Sequence, residues 1–310
     1  MLIYIIKKIF SFFLVLFLLS LISASIVYFS PNSPFSHETF ARCYYLFYQQ
    51  ILFNQFIIAD HSFWQILSQI ILPTFELCIL AIIGSIIIGF PVGIIAGLTR
   101  SNTINHTIKL ICLVFYASPI IWVTVLVMSF SSTDWFFVKN ITYQPGTTSV
   151  SILSILLTPD LEKINQLLAE AKHLIVPVMI LMIQPCIITI QLISQRVSYT
   201  AQQNYIKVAS IRENSSRKVL FRHLLPNALP STIPQLTYNI TTLLFTTMVI
   251  EIVLDRSGLG TWVFAAFHQS DYMIIALAVF CCGALVSLLT LLSEIFVVIL
   301  YPIQSRALYE

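Results

Sequence analysis

Charge is what this chain has least of. Of its 310 residues only 29 are charged, 16 Lys or Arg and 13 Asp or Glu, which is 9%. An ordinary soluble domain carries roughly 25%. Hydrophobic residues make up 58% of the chain, Phe alone contributes 23, and the mean hydropathy is +0.90. Too few charges are present to cover that much apolar surface in water. A soluble enzyme, a disordered tail and a nucleic-acid binder are excluded as classes, and an integral membrane protein remains.

Signatures of chemistry are missing as well. Gly-Lys occurs nowhere, so no phosphate-cradling loop of the P-loop kind exists. No H-E-x-x-H is present, the six His are scattered, and no C-x-x-C links the six Cys. Neither a metal site nor a redox motif is signalled. Cys78, Cys112, Cys186, Cys281 and Cys282 lie in apolar runs and read as small buried hydrophobes, while Cys43 lies in a more polar stretch. No catalytic residue, cofactor or metal is expected, and the chain does not read as an enzyme. No inverted internal repeat is visible, which weighs against an ATP-independent carrier or channel, the rival class.

What is present is a set of long apolar runs. A membrane-spanning helix needs about 20 mostly apolar residues. Six segments qualify: Ile9–Phe29, Leu72–Leu98, Ile108–Phe130, Leu174–Ile193, Ile233–Leu254 and Met273–Tyr301. The first follows Lys7 and Lys8 and continues past Ser23-Ala24-Ser25, so it reads as an uncleaved helix rather than a signal peptide. The expected fold is an all-α integral membrane protein with six transmembrane helices. Pro91 and Pro119 are expected to kink their helices.

Basic residues set the orientation. With the N-terminus in the cytoplasm, eleven of the sixteen fall inside: Lys7, Lys8, Arg100, Lys109, Arg196, Lys207, Arg212, Arg217, Lys218, Arg222 and Arg306. Both termini are therefore expected in the cytoplasm. Two sizeable loops, Ser30–Ile71 and Ser131–His173, then lie outside. The second carries Thr158-Pro159-Asp160-Leu161-Glu162, a helix-start pattern, followed by Ile164, Leu167 and Leu168 at helical spacing. It predicts a short amphipathic surface helix.

The long inside loop, Ser194–Thr232, holds six basic residues and one acid, Glu213. It parses into two short helices. The first runs from about Tyr205 through Ala209 to Arg212, Glu213 and Asn214 make the turn, and Ser215 or Ser216 caps the second. That second helix, with Arg217, is expected to expose Val219, Leu220 and His223 and to end before Pro226. Such a knob suits docking by another cytoplasmic protein.

Within the apolar runs, Gly89, Gly93 and Gly97 recur every four residues and flatten one helix face for close packing, most simply within the chain. Glu76 and Glu251 lie near the expected outer interface, as possible acids of an outer mouth, and Glu294 lies deeper. The fifth run is polar. Gln235, Tyr238, Asn239, Thr242 and Thr246 mark a helix suited to lining an aqueous path, although hydroxyls also bond back to their own helix.

These stretches carry a resemblance. Tyr205, Ile206, Ala209 and Arg212, followed by Pro226-Asn227-Ala228-Leu229, resemble the cytoplasmic coupling loop of type I ABC importer permeases in the oligopeptide/dipeptide branch. The passages Leu72-Pro73 to Glu76-Leu77 and Gly89 to Gly97 are similar to the second helix of that group, and Ser118-Pro119 to the kink in its third. Glu251, Gly258-Leu259-Gly260 and Asp271-Tyr272 match the E…P-G-L-G…D-Y passage after its fifth. Leu77-Cys78-Ile79-Leu80-Ala81 and the run from Asn227 to Pro234 look nearest to the Sap-type peptide permeases. Two departures stand out: Glu213 replaces the usual loop glycine, and Ser257 replaces the Pro before Gly258.

The resemblance implies the rest. Residues 1–71 form the first transmembrane helix and first periplasmic loop, 72–301 an ABC transporter type I permease domain with its coupling loop at 195–232, and 302–310 a cytoplasmic tail. The protein would be a multi-pass subunit of the bacterial inner membrane, set in the lipid bilayer. It would pair with a second permease as a heterodimer, receive cargo from a periplasmic substrate-binding protein, and be driven by cytoplasmic ABC ATPase subunits that hydrolyse ATP. No nucleic acid is a partner. The ATPases would dock on Tyr205, Ala209, Arg212, Glu213, Asn214, Arg217, Val219, Leu220 and His223. The implied cargo is peptide, cationic antimicrobial peptides in the Sap-type group, with antimicrobial peptide resistance as the consequence. Putrescine, dipeptides and nickel are alternatives, and import against export is open.

Overall fold

The computed structural model describes residues 2–31, 39–52, 70–99, 102–131, 163–213, 215–229 and 232–300, and every regular element among them is helical. Helix α1, Leu2–Phe29, is apolar all round and contains neither Pro nor Gly, so nothing interrupts it. Helix α2, Phe40–Leu52, follows α1 in the chain. Helix α3, Leu72–Leu98, continues through Pro91.

Two expected spans are broken rather than kinked. Helices α4, Asn102–Ala117, and α5, Ile120–Ser131, meet at 86° across Ser118-Pro119. Pro119 has no N–H to continue the helical ladder, and Ser118 Oγ donates to the Val114 carbonyl at 2.9 Å. Helices α6, Lys163–Leu181, and α7, Ile183–Ala201, meet at 51° at Met182. Pro185 cannot donate to Leu181, its partner one turn back, which accounts for a bend at that point. The expected amphipathic helix and the start of the fourth span are thus one continuous helix, α6; its predicted cap, 158–162, lies outside the described residues.

The polar segment after α7 contains α8, Asn204–Arg212, and α9, Ser216–Lys218. A π-helical turn, Val219–Leu224, then leads into α10, Leu225–Ala228. Helices α11, Ile233–Val253, α12, Leu259–Gln269, and α13, Tyr272–Leu300, complete the chain. Among the described residues three helices are long and apolar enough to cross a membrane, or five if each bent pair is one span. In α11 the apolar stretch is the shorter Thr241–Val253.

The chain forms two interleaved compact units. The first comprises Met1–Glu76, Thr142–His173 and Leu244–Leu292. Its core joins Val27, Cys43, Phe47, Ala276 and Leu277 from α1, α2 and α13. Ser23 Oγ donates to the Ala276 carbonyl at 2.6 Å, and Gly283 lets Leu19 approach so closely that an added Cβ would sit 2.7 Å from its Cδ1.

The second unit comprises Leu77–Ile141, Leu174–Leu243 and Ser293–Glu310. Its organising contact is α3 against α7. Cβ atoms built on Gly89, Gly93 and Gly97 would lie 3.0 Å from Thr189 Cβ, 2.8 Å from Ile193 Cβ and 2.8 Å from Val197 Cβ. The four-residue glycine spacing serves packing within the chain.

Candidate functional site

The segment from α8 to α10 stands on a built platform. Ile206 of α8 is buried with Ile193 and Val197 of α7 and with Leu224, Leu225 and Ala228 beyond the π turn. On the opposite arc of α8, Tyr205, Val208 and Ile211 are exposed, Ile211 by 84%. Arg212 and Arg217 are exposed and Ala209 is half-buried.

Here the expected face needs correction. Val219 and Leu220 are not presented outward; both pack, partly buried, on the Ile193–Ala228 core. Phe221 takes the outer position, 67% exposed. The cause is the π turn. Its bonds reach five residues back, so the side-chain phase differs from that of a regular helix. The segment also runs on through Pro226 instead of ending before it, since Pro226 occupies the first turn of α10, where a missing N–H is tolerated.

Glu213 is extended, at φ −94° and ψ 129°. Its Oε1 lies 3.5 Å from His223 Nε2 and 3.9 Å from Arg222 Nη1. Asn227 Nδ2 donates to the His223 carbonyl at 2.6 Å. Ser215 occupies the N-cap position of α9, although its side chain makes no capping bond. Asn214 lies outside the described residues.

Of the polar residues expected to line a path on α11, Asn239 is buried, and its Nδ2 has no hydrogen-bond partner among the described residues. Thr242 is exposed and Thr246 half-buried. The side chains of Gln235 and Tyr238 lie outside the described residues.

Glu251 is fully buried and committed to structure. Its Oε1 accepts from Thr74 Oγ1 at 2.7 Å, and its Oε2 accepts from the Gly260 N–H at 2.8 Å. Thr74 Oγ1 in turn accepts from the Leu259 N–H at 2.9 Å. Two of the otherwise unpaired N–H groups at the start of α12 are thereby satisfied, and the carboxylate sits at the positive end of that helix. The two glycines make room. A methyl on Gly258 would overlap the Glu251 carboxylate, and one on Gly260 would overlap the Met248 carbonyl. The Glu…Gly-Leu-Gly passage is a clasp that fastens the turn between α11 and α12. Glu76, two residues beyond Thr74, is half-buried.

Sequence reasoning missed Thr74, α2 and α12. Thr74 gives no local signal, because Glu251 lies 177 residues away. Helix α2 was legible in the spacing of Phe40, Cys43 and Phe47; Cys43 and Phe47 are buried in the first unit's core and Phe40 packs edge-on against Tyr28.

Comparison with known proteins agrees with this geometry. The SapB protein of Escherichia coli (strain K12), named a putrescine export system permease protein, is 30% identical over the whole chain and 99% of its own length. The SapB protein of Salmonella typhimurium (strain LT2), named a peptide transport system permease protein, is 28% identical over the same span. An inward-facing structure of the MetNI methionine ABC transporter superposes with a TM-score of 0.53 at 15% identity, covering 73% of this chain and 94% of that one, and so shares the fold. The model for the binding-protein-dependent transport system inner membrane component matches residues 89–305, from the glycine face of α3 through the α8–α10 segment and the Glu251 clasp, and the chain belongs to that family.

Proposed function

We propose that this chain is the permease subunit of an ATP-binding cassette transporter that moves peptides across the bacterial inner membrane. The observation that carries the docking reading is the cytoplasmic segment itself. Tyr205, Val208, Ile211 and Phe221 are apolar, exposed and held on a buried core, which suits a protein surface better than water. Cytoplasmic ATPases dock there and hydrolyse ATP, a second permease completes the path as a heterodimer, and a periplasmic binding protein delivers cargo. The bent pairs each count as one span and α11 as a sixth, with both termini cytoplasmic, in keeping with the basic-residue bias.

When the ATPases close, they drag α8 and the π turn, and the platform of Ile193, Val197 and Ile206 passes the displacement to α7. Asn239, Thr242 and Thr246 line the path on α11, together with Gln235 and Tyr238. Cationic antimicrobial peptides are the cargo favoured by the Sap-type resemblance. Putrescine is the second reading, since it stands in the name of one relative that matches over the full chain.

Co-purification tests the docking. Ile211→Asp with Phe221→Asp, and separately Ala209→Asp with Arg212→Glu, should abolish retention of the ATPases while the permease still inserts. Retention and transport unchanged in both variants overturn the reading. Stimulation of ATP hydrolysis by peptides against putrescine then separates the two cargoes.

A further inference from the structure

At the end of α1 the first unit forms a half-open pocket of about 470 Å³, bounded by Ser30 and Pro31 and by the turn that joins α12 to α13. Three helix ends meet there: the C-terminal ends of α1 and α12, and the N-terminal end of α13. Each helix terminus carries about half an elementary charge, negative at C-termini and positive at N-termini. The positive end of α13 already has its partner. Asp271 Oδ1 accepts from the Met273 and Ile274 N–H groups at 3.1 and 3.2 Å. The second oxygen, Oδ2, accepts no hydrogen bond among the described residues, and Asp271 lines the cavity. Carbonyls at the two C-terminal ends already accept from the Ser270, Asp271 and Ser30 N–H groups, so Asp271 itself is the main negative charge on the wall.

We infer that this cavity is a binding site for an alkylammonium group. An ammonium brings three N–H donors and no acceptor. The cavity wall supplies oxygen acceptors to match: Asp271, Ser30 and Ser270 all line it. Ser30 Oγ gives its own proton to the Val27 carbonyl at 2.8 Å, which leaves its lone pairs for an incoming donor. A divalent metal fits poorly. Calcium takes six to eight oxygens and several carboxylates, and among the described residues no three His, Cys, Asp or Glu group together anywhere. The space is also far larger than one ion or water needs, about 30 Å³ for a water, whereas Pro31, Tyr272 and Met273 offer apolar wall for a carbon chain. The amine can be a free polyamine or a lysine side chain. The inference depends on the proposed orientation only for which compartment supplies it.

The test uses the full-length chain in nanodiscs of zwitterionic lipid, open on both faces, without nucleotide or ATPase, so that its outcome is separate from that of the docking experiment. Calorimetry follows spermidine, Nα-acetyl-lysine amide and the uncharged 1,8-octanediol. Asp271→Asn is the decisive variant, because Asn caps a helix as well as Asp but carries no charge. Spermidine or the lysine amide should bind near 1:1, weaken as salt rises, and bind about tenfold or more weakly to Asp271→Asn. Whichever of the two binds identifies the source of the amine. Equal affinity in Asp271→Asn, equal binding of the diol, or no binding of either amine overturns the inference.

Discussion

Thr74 and Glu251 are 177 residues apart and joined by a 2.7 Å hydrogen bond, with Thr74 Oγ1 donating and simultaneously accepting from the Leu259 N–H. One hydroxyl thus ties the start of α3, the end of α11 and the start of α12. Thr74→Val keeps the volume and removes both bonds, leaving a buried carboxylate oxygen and a buried N–H unpaired. Such a loss costs about 1–3 kcal/mol, more where the group is charged. Thermal unfolding in detergent should show a clearly lowered midpoint, while Thr74→Ser should restore most of it. A midpoint unmoved by Thr74→Val would show that the hydroxyl is not a structural tie.

The two clasp glycines should differ in severity. A methyl on Gly258 meets the end of a side chain, whereas one on Gly260 meets the Met248 backbone carbonyl, which has nowhere to go. Gly260→Ala should therefore yield little folded protein, and Gly258→Ala should fold with reduced stability, since overpacking costs about 1–3 kcal/mol. Expression followed by size-exclusion profiles ranks them, and the reverse order contradicts the geometry.

The helix-facing glycines allow the same kind of ranking. A Cβ on Gly84 would lie 3.2 Å from Met182 Sδ, the mobile part of a flexible side chain, whereas one on Gly97 would lie 2.8 Å from both the Ser194 carbonyl and Val197 Cβ. Gly84→Ala should be near neutral or stabilising, given the helix preference for Ala by about 1 kcal/mol. Gly97→Ala should destabilise. Paired unfolding curves decide it, and equal effects would mean that α3 and α7 do not approach as described.

How much of this was written in the chain follows from where the causes lie. Helices α1, α3 and α13 are long apolar runs; α3 and α13 were readable to within a residue, whereas α1 begins at Leu2, well before the expected Ile9, because Lys7 and Lys8 hide the helix ahead of the apolar run. The glycine spacing on α3 announced a close contact. The 86° turn at Ser118-Pro119 was readable as a kink but not as a full break, because its size depends on what surrounds α4 and α5. The outward face of the α8–α10 segment was not readable because no local signal marks a π turn, and the turn exchanges Leu220 for Phe221 at the surface. Glu251 was picked out as an unusual acid, and its role could not be read without Thr74, a residue with no sequence signature of its own.

Cys43 and Tyr45 lie two positions apart on α2 and face opposite ways: Cys43 is fully buried and Tyr45 is 64% exposed. Burial also pushes the Cys43 thiol above its ordinary range, so it holds its proton where an exposed thiol ionises. In chains stripped of their other cysteines, Cys43 should resist maleimide at neutral pH unless the protein is unfolded. With Cys43 also replaced, Tyr45→Cys should label rapidly, and faster as pH rises toward the ordinary thiol range. The folded state keeps the Cys43 proton longer than the unfolded one, so the contribution of this group to stability is full below the unfolded thiol pKa and declines as pH rises above it. Prompt labelling of Cys43 in the folded protein would place α2 away from α1 and α13.

Glu213 stands where the family resemblance leads one to expect a loop glycine, and its backbone does not require one. The residue is extended at φ −94°, a conformation open to any side chain, so no left-handed turn is needed there. Its carboxylate instead lies 3.5 Å from His223 Nε2 and 3.9 Å from Arg222 Nη1, linking α8 to the π turn. Arg222 is largely exposed, so the link to it is worth less than about 1 kcal/mol and is screened by salt. Glu213→Gly should then loosen the segment slightly through backbone freedom, and Glu213→Ala should change transport less than twofold, since an exposed pair of this kind contributes little. Nucleotide-driven uptake in proteoliposomes measures both. A several-fold gain in Glu213→Gly would mean that the extended Glu213 holds the coupling segment in a less effective shape than glycine allows.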